Sequence, residues 1–274
     1  MTAVANSAKR MPVRFILAVA VTFAGHNAPA TPITVSLGTA SSYAVLAGSA
    51  ITSTGPTVLN GGLGLTPGSS VTGGPVVNGV YNVDNAAAVQ AQNDLTTAYN
   101  QAAGFAPNQN LSGQDLGGLT LTPGVYFFSS SAQLTGTLTL NDMGNPNAQF
   151  VFQIGSTLTT ASDSSVATIN GGNGPSMIGC DVFWQVGSSV TLGTTTVFEG
   201  NILALTSITA DTGATDLDGR LLAQNGAVTL DNNTITLPNC CSASSVPDNG
   251  STLLMLGFGL ASLLAFGRRF PFPA

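Results

Sequence analysis

Cationic and catalytic side chains are scarce in this 274-residue chain. Its six Lys and Arg residues are Lys9, Arg10, Arg14, Arg220, Arg268 and Arg269, so residues 31–245 hold one arginine against eleven carboxylates and carry a net charge of −10. Nucleic-acid binding depends on Lys and Arg that neutralise phosphates, and that partner is excluded; attraction to anionic membrane surfaces is excluded by the same sign. The single histidine, His26, falls in a segment read below as a removable leader, which leaves no His, no Lys in the mature chain and one Glu, Glu199. Acid–base catalysis near neutrality draws on His, or on a carboxylate or Lys with a shifted pKa, so no enzyme and no cofactor are expected. Charged residues make up only 7 %, yet Val, Ile, Leu, Phe and Thr run throughout a chain long enough to bury a core, which argues against disorder. An exported, Thr/Ser/Gly-rich, mainly β binding or structural protein remains.

Both termini read as addresses. Residues 1–30 carry Lys9, Arg10 and Arg14, the apolar run Phe15 to Ala24, and Ala28-Pro29-Ala30. A basic start, a short apolar run and a small-x-small site make a secretory signal peptide, cut after Ala30, and the run is too short to span a bilayer comfortably. At the other end a Ser/Cys-rich linker, Cys240 to Ser245, leads into Val246-Pro247-Asp248-Asn249-Gly250, an uncharged stretch from Thr252 to Gly267, and Arg268-Arg269. That order resembles the PEP-CTERM class of bacterial sorting signals in its Val-Pro-Asp variant. The resemblance implies transient membrane insertion of the C-terminal segment, an exosortase-like enzyme acting at the motif, and delivery to the outer cell surface or extracellular space. The residues Phe270 to Ala274 beyond the Arg pair depart from that pattern, and a plain anchor with the Arg pair on the cytoplasmic side is the alternative. The chain then divides into a signal peptide (1–30), a folded domain (31–239), a linker with sorting motif (240–250) and an apolar segment with the Arg pair (251–274). Of the three cysteines, adjacent Cys240 and Cys241 would bond only under strain, so Cys180 pairs with one of them.

Within 31–238 short β-prone runs alternate with Gly, Asn and Pro turns. One segment differs. Residues 84–103 contain neither Gly nor Pro, and Ala88, Ala91, Leu95, Ala98, Tyr99 and Ala102 recur at three- and four-residue spacing, with Asp84 placed to cap and Gly104 to end a helix of about five turns. Its apolar stripe must pack along the β body.

The second half of the domain repeats. Segments starting at Val151, Phe183, Ile202 and Leu221 lie 32, 19 and 19 residues apart. Each leads into an apolar-Thr pair, Leu158-Thr159, Val190-Thr191, Ile208-Thr209 and Val228-Thr229, with Leu138-Thr139 as an earlier copy. The long interval holds the loop signal Gly171-Gly172-Asn173-Gly174-Pro175. A period near 19 with two or three β-prone segments per unit indicates a β-solenoid, whose stacking would align those threonines at about 4.7–4.9 Å. Ile154, Leu158, Val186, Val190, Ile208 and Val228 would fill its interior.

Several motifs occur in a fixed order: Leu37-Gly38-Thr39-Ala40, Tyr43 to Ala47, Leu121-Thr122-Pro123-Gly124-Val125-Tyr126, Phe150 to Ile154, Val182 to Val186, Phe198 to Ala204 and Gly219 to Gln224. Over residues 33–238 the chain resembles the microbial ice-binding-like family. The resemblance implies a discontinuous, right-handed β-solenoid of triangular section with one long helix alongside, and an ice crystal surface as partner. Several family members carry Thr-Ala/Gly-x-Thr/Asn once per coil. Here the matching positions read Ser156 to Thr159, Ser188 to Thr191, Thr206 to Thr209 and Gly226 to Thr229; only the third opens with Thr, and the last hydroxyl is present in all four. Thr194, Thr212 and Asn232, three residues beyond the last three of those threonines, are second-rank candidates. A threonine fixes a methyl and a hydroxyl on a stiff side chain, so a rigid array of them can hold water in a lattice-like layer with little ordering cost. A structural or adhesive envelope solenoid is the alternative function, because Thr and Ser are favoured in exposed strands in any case.

Asp211, Asp216, Asp218 and Asp231 match neither an EF-hand loop nor a calcium-binding β-roll repeat, so no metal site is expected and turn chemistry explains them. Glu199 and Arg220 fall at related places in consecutive coils and are expected to form a structural salt bridge.

Overall fold

The computed structural model describes residues 35–145, 147–171 and 180–239. Runs of three to five residues, broken by Gly, Asn and Asp, are too short for helices and form parallel strands stacked coil upon coil. Each coil visits three faces in turn. The first face runs, in spatial order, Gln109–Asn110, Gly124–Phe128, Phe150–Ile154, Val182–Val186, the second halves of Val197–Ala204 and Thr215–Ala223, Tyr43–Ala47, Gly62–Leu65 and Tyr81–Val83. A second, seven-stranded face runs Ala132–Leu134, Leu158–Thr160, Val190–Leu192, Ile208–Ala210, Val228–Asp231, Ala50–Thr54 and Ser70–Thr72. The third runs Thr120–Leu121, Thr137–Asn141, Ser165–Ile169, the first halves of the two long strands, Thr234–Thr236, Val58–Asn60 and Val76–Val77.

Spatial and chain order disagree at one place. The N-terminal coils sit beyond the C-terminal coil, with Thr52 beside Thr229 and Leu46 beside Leu222. The helix α1, Ala86–Ala103, makes this possible by carrying the chain back along the first face from Val83 to the coil that starts at Gln109. Its 18 residues are about 27 Å long, most of the height of the nine stacked strands at about 4.8 Å each. Asn85, rather than Asp84, caps it: the Asn85 side chain accepts from the Ala88 N–H at 2.9 Å, while Asp84 takes a left-handed φ of 48° in the turn before. Gly104 ends it as expected, its N–H reaching the Asn100 and Gln101 carbonyls.

Alternation sorts the side chains. Ile154, Leu158, Val186, Val190, Ile208 and Val228 all fill the interior, around a column of rings from Tyr126 through Phe152 and Trp184 to Phe198, with centroids 5.4, 3.9 and 4.9 Å apart. The repeat read from Phe183 and Ile202 is one residue out of register: Trp184, which points inward, is the partner of Ile202. The outward side chains Val125, Val151, Phe183, Leu203, Leu222 and Leu46 meet Ala91, Leu95, Ala98 and Ala102 of α1, so the central strands of the first face are buried on both sides. Two glutamines of the repeat fasten that helix. Gln153 donates to the carbonyls of Ala102 and Phe105, both at 2.8 Å, and Gln185 hydrogen-bonds Tyr99.

The two long strands turn the corner between the third and first faces, and the register shifts there between Phe198 and Gly200. Gly200 has a φ of 111°, and a Cβ on it would lie 2.7 Å from Val182 and 2.9 Å from the Trp184 indole nitrogen, so no other residue fits. Arg220 and Glu199 are not joined. The Arg220 guanidinium donates to the Ser41 carbonyl and to the Asn201 side chain, and Glu199 accepts from Thr168 at 3.1 Å; the register shift turns the two side chains to different neighbours. Cys180 is disulfide-bonded, and its partner, like Cys240 and Cys241, lies outside the described residues.

Candidate functional site

The helix covers the first face and leaves the seven-stranded one open. On that face the positions that alternate with the buried Leu158, Val190, Ile208, Val228 and Ile51 point to solvent. Register then aligns Gln133, Thr159, Thr191, Thr209, Thr229, Thr52 and Thr72 as seven successive rungs. Neighbouring rungs stand about 4.8 Å apart. Two residues before each rung, at the start of the strand or just ahead of it, a second column reads Ser131, Thr157, Ser189, Ser207, Ala227, Ala50 and Ser70. None of these fourteen side chains is ionisable.

Thr159, Thr191, Thr209 and Thr229 are thus brought together as expected. Thr139 is not among them. It lies on the third face, between Thr120 and Ala167, and the strand in the place assigned to it is Ala132–Leu134. Leu138-Thr139 has the same apolar-Thr texture as the true copies, and the coil that contains it spends it one face later. Ser156, Ser188 and Thr206 occupy the corner that leads into the open face, where the Thr206 N–H donates to Ser188 O at 3.0 Å and the Gly226 N–H to Thr206 O at 2.9 Å.

Thr194 and Thr212 are exposed at the opposite corner. There a left-handed residue recurs in five successive coils, Asp163, Thr195, Gly213, Asn232 and Gly55, with φ between 53° and 74°, linked by Asp163 N–H to Thr194 O, Thr195 N–H to Thr212 O, Gly213 N–H to Asp231 O and Asn232 N–H to Thr54 O. Asn232 is therefore the corner itself, one position past Thr194 and Thr212. The corner comes one residue sooner after Thr229 than after Thr191 or Thr209, which puts Asp231 in their place, where its carboxylate accepts from the Thr212 hydroxyl. Thr52 and Thr72 were missed. Their signal is present in the sequence: Ala50-Ile51-Thr52 and Ser70-Val71-Thr72 repeat the small-apolar-Thr pattern of the later coils. Among the described residues no group of three or more His, Cys, Asp or Glu is arranged to hold a metal ion.

A family model described as ice-binding-like matches residues 45–236. The chain belongs to the ice-binding-like family. An ice-binding protein from Nostoc sp. (strain HG1) is 55 % identical over 264 residues, which cover 93 % of this chain and 95 % of that one. An ice-binding protein from Colwellia sp. is 36 % identical, covering 86 % of this chain and 96 % of the relative. The crystal structure of an ice-binding protein from an Antarctic biological consortium superposes with a TM-score of 0.71 at 43 % identity, over 84 % of this chain and 96 % of that one. The discontinuous β-solenoid is the fold of this ice-binding-like chain, and its named relatives are ice-binding proteins, not enzymes. A second model, the VPDSG-CTERM motif, matches residues 245–270, where this chain has Asn249 in the position that the motif's name gives to serine. That motif, with Val246, Pro247, Asp248, Arg268 and Arg269, lies outside the described residues. It is a sorting signal, and with it the chain carries an address for export.

Proposed function

We propose that the domain adsorbs to ice through the open seven-stranded face. The observation that carries this reading is the uncharged, uncovered ladder in which six threonines and one glutamine repeat in strict register. Stiff β-branched side chains on a hydrogen-bonded sheet hold methyl and hydroxyl positions fixed before binding, so water ordered over them joins a crystal with little further entropy cost. Ser156, Ser188 and Thr206 border the face at one corner, with Thr194, Thr212 and Asn232 at the other. The sorting signal supports an exported protein that is processed by an exosortase-like enzyme at Val246-Pro247-Asp248 while residues 251–274 sit transiently in the membrane.

Ice-affinity partitioning and thermal hysteresis of the purified protein test the surface. A Thr191→Tyr/Thr209→Tyr/Thr229→Tyr variant is expected to remain in the liquid with an unchanged circular dichroism spectrum, while the wild type enters the ice. A wild type that stays in the liquid sinks this reading and leaves a structural or adhesive envelope role for the exported solenoid.

A further inference from the structure

The rungs of the ladder are not equivalent. Thr191, Thr209, Thr229 and Thr52 each have a threonine rung on both sides, yet Thr191 and Thr209 are half-buried whereas Thr229 and Thr52, like the outer Thr159 and Thr72, are exposed. The column beside them differs in step. Next to Thr191 and Thr209 stand Ser189 and Ser207, whose hydroxyls lie 3.4 Å from the Ser207 N–H and 3.3 Å from the Ala227 N–H of the following coil. Next to Thr229 and Thr52 stand Ala227 and Ala50, each one residue before the paired Val228 and Ile51, with no hydroxyl to accept from the next coil.

We propose that ice engages most strongly at this Ala227/Ala50 floor between Thr229 and Thr52, the point where the two ends of the domain meet, and that the serine-floored rungs play a lesser part. The proposal rests on the ice-adsorbing reading above and assigns the energetic centre within it. The physical reason is local. Over the alanines a water layer meets methyls below and threonine hydroxyls at the side, with no rotating hydroxyl in the floor to compete for its hydrogen bonds. Over Ser189 and Ser207 that layer meets hydroxyls whose oxygens already accept from backbone N–H groups and whose protons remain to orient water to the protein before the lattice can. Binding surfaces concentrate their energy in a few residues, and two neighbouring exposed threonines on a methyl floor, the fifth and sixth of the seven rungs, form such a group.

The test is a set of single and paired changes in the purified protein, read by thermal hysteresis and ice partitioning with circular dichroism alongside. Thr52→Tyr and Thr229→Tyr are each expected to lower thermal hysteresis by about fivefold or more, and Thr159→Tyr by less than about twofold, in line with a concentrated energetic centre. The small swaps guard against misfolding: Ala50→Ser with Ala227→Ser is expected to lower activity severalfold, and Ser189→Ala with Ser207→Ala to raise it. If the wild type adsorbs but Thr159→Tyr is as damaging as Thr52→Tyr, or the alanine-to-serine pair has no effect, this assignment is overturned while the ice-adsorbing reading stands. If the wild type does not adsorb, both fall.

Discussion

At the scale of single residues, the least comfortable group in the domain is the Asp216 carboxyl. It points inward between Phe198 and Ile235 in the stack and is fully buried, because the register shift at Gly200 and Gly219 leaves a hollow that a Cβ on Gly219 would fill, 2.4 Å from both its oxygens. Burial pushes its pKa well above the ordinary carboxylate value, the negative charges of Glu199 and Asp218 push the same way, and Arg220 only partly offsets them. Burial also raises Glu199, Asp181 and Asp142, and it lowers Arg220 to about 10. For these four acids the native state holds protons more tightly than the unfolded chain. Their stabilising contribution is complete below the ordinary carboxylate pKa of about 4 and is lost as pH rises through the raised folded-state values. Asp94, lowered chiefly by its hydrogen bonds from Thr39, works in the opposite sense, and so does Asp115, where burial pushes upward but bonds from Gly117 and Thr135 prevail; their contribution is lost only as pH falls below about 4. The melting temperature is therefore expected to rise on acidification from about pH 8 to about pH 5. Asp216→Asn is expected to flatten that slope and to raise the melting temperature at the alkaline end. Calorimetry across the pH range checks this, and an unchanged slope in the variant would show that Asp216 is not the group responsible.

Among the elements, α1 is the one whose sequence announces it most plainly, since a Gly- and Pro-free stretch with an alanine stripe has no competitor in a chain of short strands. Its anchors are modest and specific. Asn85→Ala removes the side-chain cap and is expected to cost about 1 kcal/mol; Gln153→Ala strands the carbonyls of Ala102 and Phe105 and is expected to cost about 1–3 kcal/mol. Both costs should appear as lower urea midpoints, with ice adsorption unchanged because the helix covers a different face; a loss of adsorption in either well-folded variant would tie the helix to the open face. The strands were legible where hydrophobic alternation and a constant period coincide, as in Val190–Leu192, Ile208–Ala210 and Val228–Asp231. Legibility failed where the same short texture serves two faces. Leu138-Thr139 and Leu158-Thr159 look alike in sequence, and only the corner between Gln133 and Thr137 decides that the former belongs to the third face. The cap was misassigned for a related reason, since Asp84 and Asn85 both have capping side chains and a left-handed φ at Asp84 leaves the role to its neighbour.

Across the whole domain, the feature hardest to read from the sequence is also the one that completes the open face. Thr52 and Thr229 are neighbours in the sheet although almost the entire domain separates them along the chain. The repeat gives no hint of where the N-terminal coils join the stack, because α1 separates them from the later coils along the chain and their position follows from the return path of that helix. Folding inherits this arrangement. Contacts between successive coils from Gly124 to Ala223 close short loops, whereas the junction of Ala50–Thr54 with Val228–Asp231 must close the longest loop in the domain, and long-range parallel pairing is slow. The stack should therefore form from its middle, around Phe152 and Trp184, and accept the N-terminal coils last. Pulse-labelling hydrogen exchange during refolding is expected to protect Val151–Phe152 and Phe183–Trp184 before Ile51–Ser53 and Val228–Leu230, with the last two segments becoming protected together. Since the chain has a single tryptophan, Trp184 fluorescence should recover ahead of ice adsorption in the same experiment. Earlier protection of the N-terminal strand would mean that the two chain ends meet first and template the coils between them, and adsorption would then recover together with the fluorescence.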